Sequence, residues 1–181
     1  MNRRAKIGRC FLLAAPAALL FAVSVLAASA SAGGVRWSVP ARWKEKPERP
    51  MRVATYAVPA AEGAAEGECA VFYFGKGQGG SVEENLSRWA KQFDGGSPKT
   101  ETKTVAGLRV HVTDVSGTYL AAGGPMMQTQ EKKPGYRLLG AIVETPEGLV
   151  FFKLTGPAAT VAAARADFDA LVRSLTKAPN L

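Results

Sequence analysis

The amino-acid sequence predicts an α+β fold, an α/β/α sandwich in which helices cover a mainly antiparallel sheet of about six strands. Three observations carry this expectation. Two pairs of alternating apolar segments are each joined by a short turn signal, Ala106-Gly107 in one and Thr145-Pro146-Glu147-Gly148 in the other, and hairpin connections make neighbouring strands antiparallel. Two further segments carry a single apolar stripe at helical spacing, so each needs a sheet face to cover. The chain has no internal repeat and no coiled-coil heptads, which leaves one layered domain.

In chain order, residues 1–32 read as a cleavable signal peptide. Arg3, Arg4, Lys6 and Arg9 precede an apolar run from Phe11 to Ala27, and Ala28-Ser-Ala-Ser-Ala32 offers cleavage after Ala30 or Ala32. The protein is therefore expected to be exported, periplasmic or secreted; an uncleaved signal acting as a membrane anchor is the alternative. The Arg3-Arg4 pair is in a poor context for a twin-arginine signal. Removing the signal leaves 19 basic against 15 acidic residues, and the excess sits in residues 33–52, where Arg36, Arg42, Lys44, Lys46, Arg49 and Arg52 face only Glu45 and Glu48. Basic charge confined to one short segment gives no reason to expect a nucleic-acid partner. Cys69 is the one cysteine beyond the signal, so no internal disulfide is available, and its alternation with Val71 and Tyr73 makes it a buried apolar residue.

Residues 33–177 form the expected domain, with 178–181 a frayed tail. An extended stretch with Pro40, Pro47 and Pro50 leads to strands at Met51–Val58 and Glu68–Phe74. A glycine-rich turn follows, and Ser81 with Glu84 has the spacing of a capping box. Val82, Leu86, Trp89 and Phe93 make the apolar stripe of the helix, which Gly95 and Gly96 are expected to stop. Residues 99–105 with 108–119, and 137–144 with 149–155, are the two hairpins, separated by a long loop at 121–135. Gly156-Pro157 opens a last helix whose buried stripe is Ala164, Phe168, Leu171, Val172 and Leu175.

Three segments resemble the PsbP-like superfamily: the opening Trp37-Ser-Val-Pro40-Ala-Arg-Trp43, the helix Asn85-Leu86-x-x-Trp89-x-x-Gln92-Phe93, and the ending Phe151-Phe-Lys-Leu-Thr-Gly156-Pro157 with Phe168, Leu171, Ser174 and Leu175. The resemblance spans most of residues 35–176 and implies the sandwich described above. It carries over no catalytic motif, and members of the superfamily differ in function, so it says little about activity.

The residues present narrow the chemistry. Gly75, Gly77 and Gly80 form a GxGxxG, but a dinucleotide site needs a parallel strand after the helix, and Lys99-Thr-Glu-Thr-Lys-Thr-Val105 is too polar for one. One histidine and one cysteine beyond the signal, with no clustered carboxylates, make no ordinary metal site. No GxSxG is present, and His111 would be the sole imidazole base of any hydrolase. No cofactor is expected. Three binding candidates remain: Met126, Met127, Lys132 and Lys133 in the long loop, for an envelope protein partner; Arg36, Trp37, Arg42 and Trp43, a basic-aromatic segment suited to weak contact with anionic surfaces; and Gly77, Gly79, Gly80 and Ser81, a weak anion site at a helix start. The expected function is that of an exported non-enzymatic domain that binds or supports another envelope component. The alternative is a small-ligand or anion-binding protein using a sheet–helix cleft near the glycine-rich turn.

Overall fold

The computed structural model describes residues 28–121 and 131–179. The elements are β1 (Ser29–Ala32), β2 (Val35–Ser38), β3 (Lys44–Glu45), β4 (Ala54–Val58), β5 (Gly67–Tyr73), α1 (Val82–Ala90), β6 (Phe93–Asp94), β7 (Lys99–Val105), β8 (Leu108–Ala121), β9 (Glu131–Thr145), β10 (Gly148–Pro157), α2 (Ala158–Ala163), α3 (Arg165–Arg173) and β11 (Thr176–Lys177). An eight-stranded antiparallel sheet runs in the order β3-β4-β5-β10-β9-β8-β6, with β7 also pairing β8. A second sheet, β1-β2-β11, packs against one face of it. The α+β class holds, with more strands than the expected six.

Both hairpins form where the turn chemistry places them. Ala106 and Gly107 take φ of 47° and 75°, the left-handed pair that a two-residue hairpin turn requires. Lys153 on β10 aligns with Gly140 on β9 and with Ala70 on β5, which sets the register of the central strands. The expected loop at 121–135 is shorter, because β9 already begins at Glu131. Pro134 is accommodated there because the β8–β9 ladder breaks register between Gly117 and Tyr119, and a proline is tolerated where no ladder hydrogen bond is asked of it. Met126 and Met127 lie outside the described residues.

The sheet has a core on each face. On one, Val35 and Trp37 of the small sheet pack with Tyr56, Leu139, Phe152 and Leu154 against Phe168, Leu171 and Val172 of α3. Cys69 is fully buried in this layer, and burial pushes its thiol pKa up. On the other face, α1 places Val82 and Trp89 over Val115, Leu138, Ile142 and Phe151. Trp89 lies directly above Gly140, where a Cβ would collide with the indole ring.

Four local differences from expectation have physical causes. The first strand starts at Ala54 because Met51 adopts φ 65° in a turn. The helix α1 ends at Ala90, before Gly95, because Phe93 and Asp94 pair with Tyr119 and Thr118 of β8. Phe93 is still buried, but from a strand. The last helix is two, α2 and α3, meeting at Ala164. Thr160 ties α2 to the preceding loop: its hydroxyl donates to the Ala65 carbonyl at 2.7 Å and accepts from the Ala61 N–H at 3.1 Å. Finally, Ser29–Ala32 is a strand of the domain. Ala30 and Ala32 pack against the core, and the Val39 N–H donates to the Ala28 carbonyl at 2.7 Å. The expected boundary after residue 32 therefore falls at the β1–β2 turn. At the other end, the Ala178 N–H donates to the Gly34 carbonyl.

Candidate functional site

The helix α1 is short, and its apolar stripe covers β8, β9 and β10 with only the margin of β5. The outer part of the same sheet face, toward β4, is left open beside it. Around this opening the fold gathers cations and aromatic rings into a groove.

The glycine-rich turn forms one end of the groove. Gly75, Gly77, Gly79 and Gly80 all have positive φ, which lets the chain leave β5 and reverse into α1. Ser81 caps the helix as expected: its hydroxyl accepts from the Glu84 N–H, and the Ser81 N–H donates to the Glu84 carboxylate at 2.8 Å. That bond holds the Glu84 pKa below the usual carboxylate range. The positive end of α1 is thus occupied by the chain's own carboxylate. Both neighbours of β5 are antiparallel to it, so the GxGxxG has no parallel strand–helix–strand unit around it.

Arg88 lies one helical turn and more along α1, and Asn85 links it to this turn. The buried Asn85 amide donates to the Gly79 and Ser81 carbonyls at 2.8 and 2.7 Å, while its oxygen accepts from Arg88 at 2.6 Å. Asn85 therefore clamps the turn and aims Arg88 outward. Arg88 lines an open cavity of about 500 Å³ with Met51, Phe74, Gly79 and Gly80. Met51 is 76% exposed and Phe74 is 39% exposed. Phe72 and Phe74 stack with ring centroids 6.1 Å apart and continue the floor inward.

The inner end is a second cavity of about 360 Å³, within the range of ligand pockets (~300–1,000 Å³). Lys153 is its innermost cation. Its ammonium donates to Gln92 Oε1 at 2.6 Å and sits 5.7 Å over the Tyr119 ring. No carboxylate among the described residues is within ion-pair distance of it. Burial, then the nearby Arg52 and Arg88 guanidinium groups, push its pKa down to about 8. Arg52 bonds Glu68 at 2.7 Å and lies 5.7 Å over Phe72; Arg49 reaches the same carboxylate at 3.4 Å. Lys46, Lys133 and the stacked pair Tyr119 and Tyr136 complete the rim. The Thr155 hydroxyl, which also lines this cavity, is buried without a hydrogen-bond partner.

The other sequence candidates are placed elsewhere. Trp37 and Trp43 are core residues, 1% and 5% exposed, so only Arg36 and Arg42 of that segment face outward, and Arg42 pairs with Asp167 at 2.7 Å. Lys132 and Lys133 lie on β9, and Lys133 is the one that borders the inner cavity. Gly77 is in open space, whereas Gly79 and Gly80 border the outer cavity. His111 contacts Glu144 at 2.6 Å and the Thr102 hydroxyl at 3.0 Å. These three lie on paired strands of the sheet, and none of them lines either cavity of the groove. Among the described residues, no three His, Cys, Asp or Glu side chains gather as metal ligands.

Sequence reasoning passed over Lys153 and Arg88, and it placed Arg52 only within the basic segment 33–52. One signal was available: Leu149-Val-Phe-Phe-Lys153-Leu places a lysine on the same inward-facing parity as Phe151.

No family model matches the chain, and no curated protein matches it. Solved structures do. PA94 of Pseudomonas aeruginosa, a protein of unknown function, is 14% identical with a TM-score of 0.52, over 85% of this chain and 99% of that one. Cyanobacterial PsbP (CyanoP) from Synechocystis sp. PCC 6803 is 12% identical with a TM-score of 0.51, over 89% and 98%. LpqN, involved in cell envelope biogenesis of Mycobacterium tuberculosis, is 12% identical with a TM-score of 0.55, over 87% and 88%. At such identities the likeness concerns fold alone. The antiparallel sheet, its helical covers and these three alignments together give the chain the PsbP-like fold.

Proposed function

We propose that the protein is an exported, non-enzymatic binding domain of the cell envelope, and that it engages an anionic envelope component through the groove beside α1. The observation that carries this reading is the open half of the sheet face, where Phe74 and Met51 are exposed among Arg49, Arg52 and Arg88. Exposed apolar side chains framed by cations suit a partner that offers negative charge around an apolar contact. The export expectation supports the setting, and among the described residues no helix is long and apolar enough to cross a membrane. One solved relative of the same fold is involved in envelope biogenesis, which supports the same setting.

Photo-crosslinking in intact envelopes tests this. A photoreactive residue at Phe74 should capture an envelope component, and one at Glu101 on β7 should not. Capture of the same component from both positions, or from neither, removes the reading.

A further inference from the structure

The geometry points to a phosphate-monoester site at the inner end of the groove, with the phosphate held by Lys153, Arg52 and Lys133 and the attached carbon skeleton against Tyr119, Tyr136 and Phe72. This rests on the groove being the binding surface proposed above.

Four observations lead to it. An ammonium has three donors; Lys153 uses one on Gln92, and no other acceptor among the described residues takes the remaining two. Its cross-strand neighbour on β5 is Ala70, a small side chain, while on β9 the Trp89 ring occupies the space above Gly140. The cavity is lined by four basic groups, Lys46, Arg52, Lys133 and Lys153, against Glu66 and Glu68, and Lys133 also pairs with Glu131 at 3.2 Å. The positive excess that remains suits an anion such as a phosphate monoester, which carries about −1.5 to −2 near pH 7. Thr155 lines the wall, and its hydroxyl is buried without a hydrogen-bond partner. The lowered pKa of Lys153 agrees with this geometry, because it marks an ammonium whose surroundings are short of negative charge. Tyr119 and Tyr136, stacked with centroids 6.0 Å apart, give a flat wall for a sugar or glycerol unit.

Phosphate monoesters occur as soluble metabolites and as lipid headgroups, and two arms separate them. In one, the exported chain is titrated with glycerol 3-phosphate by calorimetry. In the other, it is sedimented with phosphatidylcholine vesicles containing or lacking phosphatidic acid. Saturable binding in either arm is expected. Lys153→Met should weaken it roughly 10- to 100-fold, the worth of a charge-assisted contact, while Lys103→Met on the exposed β7 should leave it unchanged. Binding of glycerol 3-phosphate alone assigns a soluble ligand; binding of phosphatidic acid vesicles alone assigns a lipid headgroup. Thermal unfolding of Lys153→Met in parallel establishes that the variant is folded. No saturable binding in either arm, or equal affinity in a folded Lys153→Met, overturns the assignment. If Phe74 still captures an envelope component in that case, only the phosphate site fails; if capture also fails, the groove itself is not the binding surface.

Discussion

Replacing Lys153 with methionine should make the protein more stable. The ammonium of Lys153 is held in a cavity where burial and two guanidinium groups disfavour its charge, and its pKa falls from 10.5 to about 8. A tenfold change in proton affinity is worth about 1.4 kcal/mol, so the charged form is penalised by ~3 kcal/mol relative to the unfolded chain. Methionine keeps an unbranched stem that packs along the same path. It loses the hydrogen bond to Gln92, a cost of ~1 kcal/mol. The net expectation at pH 7 is a gain of about 1–3 kcal/mol. The pH dependence gives a sharper signature. Below pH 8 both the folded and unfolded wild type carry the proton, and the full penalty is present. Between pH 8 and 10.5 the unfolded chain binds more protons than the folded one, so wild-type stability rises with pH. The difference between wild type and Lys153→Met should therefore shrink over that window. Urea denaturation at pH 7 and pH 10 measures it. A variant less stable than wild type at pH 7, or a difference that does not change up to pH 10, would refute the assignment of Lys153 as a strained cation.

Three further outcomes are expected. Asp114 accepts two bonds from Arg137 at 2.8 and 2.6 Å and one from Arg165 at 2.8 Å, and these hold its pKa below the usual range. Asp114→Asn should cost about 2 kcal/mol at neutral pH, and the difference from wild type should vanish in acid as the wild-type carboxylate takes up its proton; urea titrations at pH 7 and in acid read both. Ala106 holds φ 47° in the β7–β8 turn, so Ala106→Gly should raise stability by ~1 kcal/mol, seen as a higher thermal midpoint. A chain beginning at Gly33 lacks β1 and should be ~1–3 kcal/mol less stable than one beginning at Ala28, and mass spectrometry of the protein recovered from cells should find β1 retained.

Much of the frame was legible because local chemistry decided it. Ala106-Gly107 and Thr145–Gly148 name their hairpins, and the Ser81–Glu84 box names the start of α1, since those features depend on residues close in sequence. The small β1-β2-β11 sheet was not legible. Ser29–Ala32 has the small-residue composition of a signal cleavage region, and nothing in it announces a strand. The end of α1 was misplaced because its stop depends on β8, some 25 positions later, offering a strand partner to Phe93. For the site, the glycine-rich turn lies at one end of the groove. The inner cavity could not be foreseen, since Arg52, Phe72, Tyr119, Tyr136 and Lys153 come from five separate strands or their flanks. Only the register of those strands brings them together.

The margins of the large sheet bear on how any partner can be recognised. Among the described residues, one margin is β3, two residues long; the other is made by β6, also two residues long, and by β7, which alternates Lys99, Glu101 and Lys103 with threonines, all exposed. Short or charged margins discourage another chain from adding itself as a strand. Recognition by main-chain pairing, which reads little sequence, is thereby closed off. What remains is contact through side chains on the sheet face, where ionic strength governs attraction, and point substitutions can retune selectivity without disturbing a single backbone hydrogen bond.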